Sequence, residues 1–153
     1  MVIEHTFVGR RLPMVDGKEK VSGIGENIAD VTLPGMLHGR MLRSPHPHAR
    51  ILNIDTSDAE RVPGVKVILT GQNSPQPKFG ISVLDETPFC TDKVRYVGDE
   101  VAGIVADTEE ALDEALAKIL VEYEPLTSVT DPLYALEEGT SLVHEDKPRN
   151  IAY

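Results

Sequence analysis

Apolar and polar positions along the chain fall into short runs whose spacing changes from one segment to the next. Residues 1–35 are interrupted by Gly9, Pro13, Gly17, Gly23, Gly25, Pro34 and Gly35, too often for a long helix or strand, and are expected to form an extended N-terminal arm. Met36–Arg43 reads as a strand stopped by Ser44-Pro45 and Pro47, because two prolines so close exclude a central strand. Ala49–Asp55 predicts a second strand, and Ser57-Asp58-Ala59-Glu60 has the form of a capping box that would start a short helix before Pro63-Gly64. Val65–Leu69 has strong β character and ends at Gly71. Residues 72–92 form a long polar connection with a weak strand signal at Phe79–Leu84, which in a compact domain suggests mobility or a contact surface.

Val101–Ala106 is apolar throughout, as expected of a strand covered on both faces. Asp107-Thr108-Glu109-Glu110 then reads as an Asp-x-x-Glu cap with acids in the first turn, where the helix dipole favours them. Ala111, Leu112, Ala115, Leu116 and Ile119 make a helical stripe, and Lys118 sits near its C-terminal end. Leu120–Glu124 alternates like a strand and stops at Pro125. Asp131–Leu136 predicts a short helix with Pro132 in its first turn and Gly139 beyond its end, and residues 144–153 read as a polar tail or linker. The segments 49–69 and 101–124 share one plan: strand, cap, short helix, strand. They predict an α+β domain over residues 36–143, with two short-helix α/β units on one small mixed sheet.

At 153 residues the chain fits one domain, and its 41% apolar share allows a core built from aliphatic side chains, since it holds no Trp and only three Phe. The net charge of −10 is uneven: residues 1–75 carry nine Lys and Arg against eight Asp and Glu, whereas residues 76–153 carry six against seventeen. An acidic second half repels phosphate backbones and anionic bilayers, so neither nucleic acid nor membrane is an expected partner. No run approaches the ~20 apolar residues of a membrane span, and Met1–His5 shows no signal-peptide pattern. The lone Cys90 excludes an internal disulfide and suits a reducing compartment, the cytoplasm by default.

Candidate chemistry is sparse. His38, His46 and His48 share one segment, but a metal needs three or four converging ligands and the nearest acids are Asp30 and Asp55, so loop anchoring is the simpler reading. Cys90 lies between Glu86 and Asp92, which would raise its pKa rather than activate it. An iron–sulfur cluster needs about four cysteine ligands, and one is present. The glycines at 9, 17, 23 and 25 match neither phosphate-loop pattern. Glu109, Glu110, Asp113 and Glu114 are expected to be a solvated helix face. No catalytic, cofactor-binding or metal residue is assigned.

Several segments together resemble the N-terminal region of large subunits in the xanthine dehydrogenase/aldehyde oxidase family of molybdenum hydroxylases. They are Val15–Gly23 (VDGKEKVSG), Leu33–Ile51 (LPGMLHGRMLRSPHPHARI) and Lys93–Ala102 (KVRYVGDEVA), followed by Val121–Leu126 and Val143-His144-Glu145-Asp146. The likeness runs from Val8 to Ile151. It leans toward bacterial members with separate subunits, such as the large subunits of 4-hydroxybenzoyl-CoA reductase and carbon monoxide dehydrogenase. Asn27 departs from it where an aromatic residue usually precedes the pattern ending at Asp30, and Cys90 stands where a small residue such as Ala is common.

The resemblance implies the α/β-hammerhead fold and a structural role beside the molybdopterin-binding domain. It implies iron–sulfur and flavin subunits as partners, and molybdopterin, iron–sulfur clusters and FAD as cofactors of the parent complex only. Arg43, His46, His48, Arg50, Tyr96, Gly98, Asp99 and Glu100, drawn from the two strongest motifs, are expected to serve packing and interface. The chain would then be a truncated form, split subunit or gene remnant, inactive alone and open to self-association through an exposed apolar patch. The alternatives are a free-standing ligand-binding or assembly module with a pocket formed by 72–92, and a metal-binding protein using the three histidines.

Overall fold

The computed structural model describes residues 6–81 and 84–151. They divide into two compact units, Met1–Met36 and Leu37–Tyr153. The first unit holds one short helix, α1 (Gly17–Ser22), ended by Gly23 at φ 73°, and a 3-10 turn at Ile28–Asp30. Asn27, the departure noted above, is used locally: its backbone N–H and its side-chain amide both donate to the Asp30 carboxylate, at 2.9 and 3.2 Å.

Among its described residues the second unit contains six strands and one longer helix. β1 (His38–Arg43), β2 (Ala49–Asp55), β3 (Val65–Thr70), β4 (Lys93–Val94) and β5 (Glu100–Ala106) precede α2 (Glu109–Lys118), and β6 (Leu120–Pro125) follows it. They form two three-stranded sheets, ordered β1-β5-β3 and β4-β2-β6, and every pairing is antiparallel. The α+β class is as expected, while the single mixed sheet is corrected to two. Successive strands alternate strictly between the two sheets, so each strand–helix–strand unit spans both instead of lying on one. Hydrophobic periodicity gives a strand's faces but not its partners, which is why the sequence could not separate these arrangements.

β5 occupies the centre of the first sheet, which accounts for its unbroken apolar run. The edge strand β1 alternates half-buried and exposed positions. Helix α2 lays Ala111, Leu112 and Ala115 against this sheet, where Ile68, Ala102, Ile104 and Ala106 complete a core. A second cluster joins Ala49, Cys90, Val94 and Val101. Leu42, Ile54 and Val121 pack against both clusters and so weld the sheets together.

Several local expectations change. Residues 57–61 are turns, not a helix: the Ser57 N–H that a capping box would give to Glu60 goes to the Asp55 carboxylate (2.9 Å), and Glu60 accepts from the Thr56 hydroxyl instead (2.7 Å). The cap of α2 is Thr108, whose hydroxyl accepts from the Ala111 N–H, while Asp107 pairs with Lys66 at 2.7 Å. The helix at 131–136 shortens to a 3-10 turn, Tyr134–Leu136, with the Asp131 carboxylate accepting from the Leu133 and Tyr134 N–H groups. The weak strand at 79–84 is an isolated bridge, Phe79 to Glu86, and residues 82–83 lie outside the described residues. The acids of α2 form an exposed face as expected, and on it Asp113 and Glu109 pair with Arg40 of β1, and Glu114 with Lys118.

Candidate functional site

Strict alternation makes every connection a crossover, and the two motif segments are two of them. Ser44–His48 carries the chain from β1 to β2, and Arg95–Asp99 carries it back from β4 to β5. They meet edge to edge. The Ser44 N–H donates to the Asp99 carbonyl (2.9 Å), and the Gly98 N–H donates to the Ser44 carbonyl (2.8 Å). Arg43 closes the junction, its Nη1 donating to the Gly98 carbonyl at 2.7 Å and to Glu100 at 2.6 Å. Gly98 has φ 99°, a left-handed backbone that side chains resist, so the turn depends on glycine.

The Asp99 carboxylate, nearly buried, accepts from the Arg95 N–H at 2.8 Å, and the Tyr96 hydroxyl donates to Glu100 at 3.2 Å. Partial burial beside the Asp99 and Glu100 charges pushes the Tyr96 phenol up to about 12. Of the eight residues expected here, the structure therefore gathers Arg43, Tyr96, Gly98, Asp99 and Glu100 directly. His46 sits alongside, its N–H donating to the Ser44 hydroxyl and its carbonyl accepting from it, both at 3.0 Å, and its ring set edge-on against Tyr123 with ring centres 4.8 Å apart. His48 is buried and hydrogen-bonded through Nδ1 to the Thr127 carbonyl at 2.8 Å, where it fastens β2 to the chain after β6. Arg50 is not part of the junction; it reaches across the second sheet to Glu124 at 3.6 Å. The three histidines thus serve separate contacts, His38 lying 3.7 Å from Glu109. No group able to hold a metal occurs among the described residues.

Beside the junction opens a cavity of about 830 Å³, walled by Met41, Phe79, Phe89 and Val143 and by the polar groups of Arg95 and His144. Asp85, Glu86, Asp99 and Glu100 also face it, four carboxylates against one guanidinium. Cys90 lines the same space. Its thiol is pushed far up, first by burial and then by the Asp99 carboxylate, so Asp99 and not the sequence neighbours Glu86 and Asp92 supplies the charge. A thiol held protonated is a poor nucleophile.

Sequence reasoning missed Ser44, Lys93, Arg95 and the pairing of Lys93 with Glu145 at 2.6 Å. Lys93 is 3% exposed, and a lysine directly before Val94 in a short strand carries no sign of that burial. Residues 144–151, read as a tail, are tied down: the Asn150 amide donates to the Ala135 and Ser141 carbonyls at 3.1 Å, and Arg149 donates to the Leu136 carbonyl at 2.9 Å. The connection 72–92 is likewise anchored, with the Gln76 side chain accepting from the Phe89 N–H at 3.0 Å.

Comparison with known proteins agrees with this architecture. Residues 22–127 match the family described as aldehyde oxidase and xanthine dehydrogenase, a/b hammerhead domain. The chain is 42% identical over 132 residues to a probable xanthine dehydrogenase subunit from Bacillus subtilis, covering 86% of this chain and 18% of that protein. It is 38% identical to the nicotinate dehydrogenase large molybdopterin subunit of Eubacterium barkeri, over 94% of this chain and 34% of that protein. The crystal structure of a Cu,Mo-CO dehydrogenase superposes with a TM-score of 0.77 at 35% identity, over 90% of this chain and 18% of that one. The chain spans about a fifth to a third of the length of these relatives. With a family match over most of its length and the two-sheet fold of a solved relative, the chain belongs to the aldehyde oxidase and xanthine dehydrogenase family, as its α/β-hammerhead domain.

Proposed function

We propose that the chain is a structural module of a molybdenum hydroxylase large subunit, packing against the molybdopterin-binding domain and against iron–sulfur and flavin subunits. The parent reaction would be water-derived hydroxylation, or the related reductive chemistry, at a carbon centre. One observation supports the structural part: the Ser44, Gly98 and Asp99 backbones and the Arg43 side chain bond the two motif segments to each other, as a brace between sheets would require. The same region leaves Met41, Phe79, Tyr96 and Val97 exposed, a surface suited to packing. Met41 and Val67 also support self-association of the isolated chain at high concentration.

The cofactors of such a complex do not fit the residues present here. Iron–sulfur ligation draws on about four cysteine thiolates, and this chain offers one thiol, held protonated. Molybdopterin and FAD carry phosphate, and the cavity presents four carboxylates to one arginine, a wall that repels anions. The single buried thiol supports a cytoplasmic setting. Among the described residues, no helix is long and apolar enough to cross a membrane.

Co-expression of the tagged chain with the cofactor domain, iron–sulfur subunit and flavin subunit of a relative tests the reading. Co-elution in one complex is expected, and separate elution refutes it. Turnover of xanthine or nicotinate by the purified chain alone, with a dye as electron acceptor, would refute the non-catalytic part. The cavity supports a second reading, a free-standing binding module. A small molecule retained through purification and lost on filling the space by Val143→Trp would favour that instead.

A further inference from the structure

The Val143-His144-Glu145-Asp146 motif has no part in the junction, yet it forms one wall of the cavity beside it. Val143 and His144 line the space, and His144 Nε2 lies 3.8 Å from the carboxylate of Asp85, another lining residue. Next in sequence, Glu145 takes the Lys93 ammonium at 2.6 Å. The two partners differ sharply in setting: the Lys93 side chain is 3% exposed and that of Glu145 is 72% exposed. Among the described residues Glu145 is the one recorded partner of that ammonium, and Lys93 opens the same motif segment that builds the junction. The segment is also closed on itself. Asn150 accepts from the Val143 N–H at 2.9 Å and donates to the Ala135 and Ser141 carbonyls, so the two ends of residues 143–150 are pinned together at one base.

We propose that residues 143–150 are a strap over one wall of the half-open cavity, latched by the Lys93–Glu145 ion pair, and that breaking the latch widens the cavity and uncovers the buried Cys90. The physical ground is the cost of an unpaired buried cation. If Glu145 loses its charge, the Lys93 ammonium must either stay desolvated without a partner or reach water. Lifting the strap gives it water. Glu145 itself is already hydrated, so release costs it little. The inference rests on this geometry and not on the family's partners, and it stands or falls separately from them.

Cys90, the chain's one cysteine, lines the cavity and is buried, which makes it a built-in reporter. The test measures the rate at which 4,4′-dithiodipyridine modifies Cys90 in the native 153-residue chain at fixed pH and in low, sub-denaturing urea. Loss of a charged hydrogen bond of this kind corresponds to roughly a tenfold to hundredfold gain in the open population. Glu145→Gln is expected to raise the labelling rate by that factor, Glu145→Asp by much less, and Asn150→Ala to raise it independently by loosening the loop. In all three the rate should be insensitive to low urea, the mark of a local opening. Two results would overturn the proposal: unchanged labelling in both Glu145→Gln and Asn150→Ala, or gains that track the fall in global stability and rise steeply with urea.

Discussion

Asp99 offers the most direct test of the brace. Its carboxylate is 9% exposed and accepts the Arg95 N–H at 2.8 Å, while its backbone carbonyl separately accepts from Ser44. Asp99→Asn keeps an oxygen in place but removes the charge, and charge-assisted bonds are about twice as strong as neutral ones, so the loss should be about 1 kcal/mol. Asp99→Ala leaves the Arg95 N–H without its acceptor and should cost about 2–3 kcal/mol. For a chain of this size each kcal/mol moves the melting temperature by about 2–4 °C. Thermal melts followed by circular dichroism should therefore fall by about 2–4 °C for Asn and about 4–12 °C for Ala. Urea midpoints should fall in the same order at constant slope. The Cys90 thiol should become more acidic in both variants, because the carboxylate that helps hold its proton is gone. Equal melting of Asn, Ala and parent, or Asn below Ala, would refute the reasoning.

Thr108→Ala removes the cap of α2 and should cost about 0.5–2 kcal/mol, with Thr108→Ser restoring most of it in the same melts. A Cβ at Gly71 would run into the Cys90 carbonyl oxygen, whereas one at Gly103 would meet the Phe89 ring at 3.0 Å. Backbone yields less than a side chain, so Gly71→Ala should destabilise more than Gly103→Ala, and the reverse order by urea titration would count against this packing. The pH dependence has a definite sign. The Asp30, Asp55, Glu110 and Glu145 carboxyls are held below their ordinary values, chiefly by the Asn27 N–H, the Ser57 hydroxyl, Glu110's own backbone and the Lys93 ammonium respectively. Their stabilisation is full above the ordinary carboxylate range and is lost as pH falls through the folded values. At the alkaline end the raised Cys90 thiol works oppositely. Stability should fall as pH climbs above the ordinary thiol value of 9.0, where the unfolded chain ionises and the folded one does not. Melts across pH should show a decline at both ends, with Cys90→Ala flattening the alkaline one.

How far the fold was legible depended on whether its cause was local. β5 and α2 announce themselves because an unbroken apolar run and a stripe at Ala111, Leu112 and Ala115 are properties of a few neighbouring residues. The two-sheet arrangement is not local, since nothing in Ala49–Asp55 states that it pairs with β4 and β6 and not with β1. β2 also hides its partner through an irregularity: pairing jumps between Ile51 and Asn53, so Leu52 and Asn53 are both exposed and Ile54 turns inward against the simple alternation. Ser57 misled for a related reason, because its motif fits a capping box but Asp55, two residues earlier, takes the N–H that Glu60 would have accepted. At the site, motif likeness singled out Arg43, Tyr96, Gly98, Asp99 and Glu100 without giving their contacts. Lys93 and Glu145 stand 52 positions apart, and neither residue type at those positions signals the other.

The alternation of strands between sheets explains why conformational specificity concentrates where it does. A hairpin can fix its own register through its turn, but a crossover cannot, because its two ends belong to different sheets. Each sheet then depends on something that ties one crossover to another. The chain meets that need twice over: through Leu42, Ile54 and Val121, which pack into both apolar clusters, and through Ser44, Gly98 and Asp99, whose backbones bond the two motif crossovers directly. The apolar contacts supply adhesion without direction, while the hydrogen bonds admit only one register. On this argument, variants that break the junction should loosen how the sheets sit on each other before they unfold either sheet. Hydrogen exchange would show it as early loss of protection in β4 and β5 near residues 93–100, with the centre of β5 at Ile104 among the last to exchange.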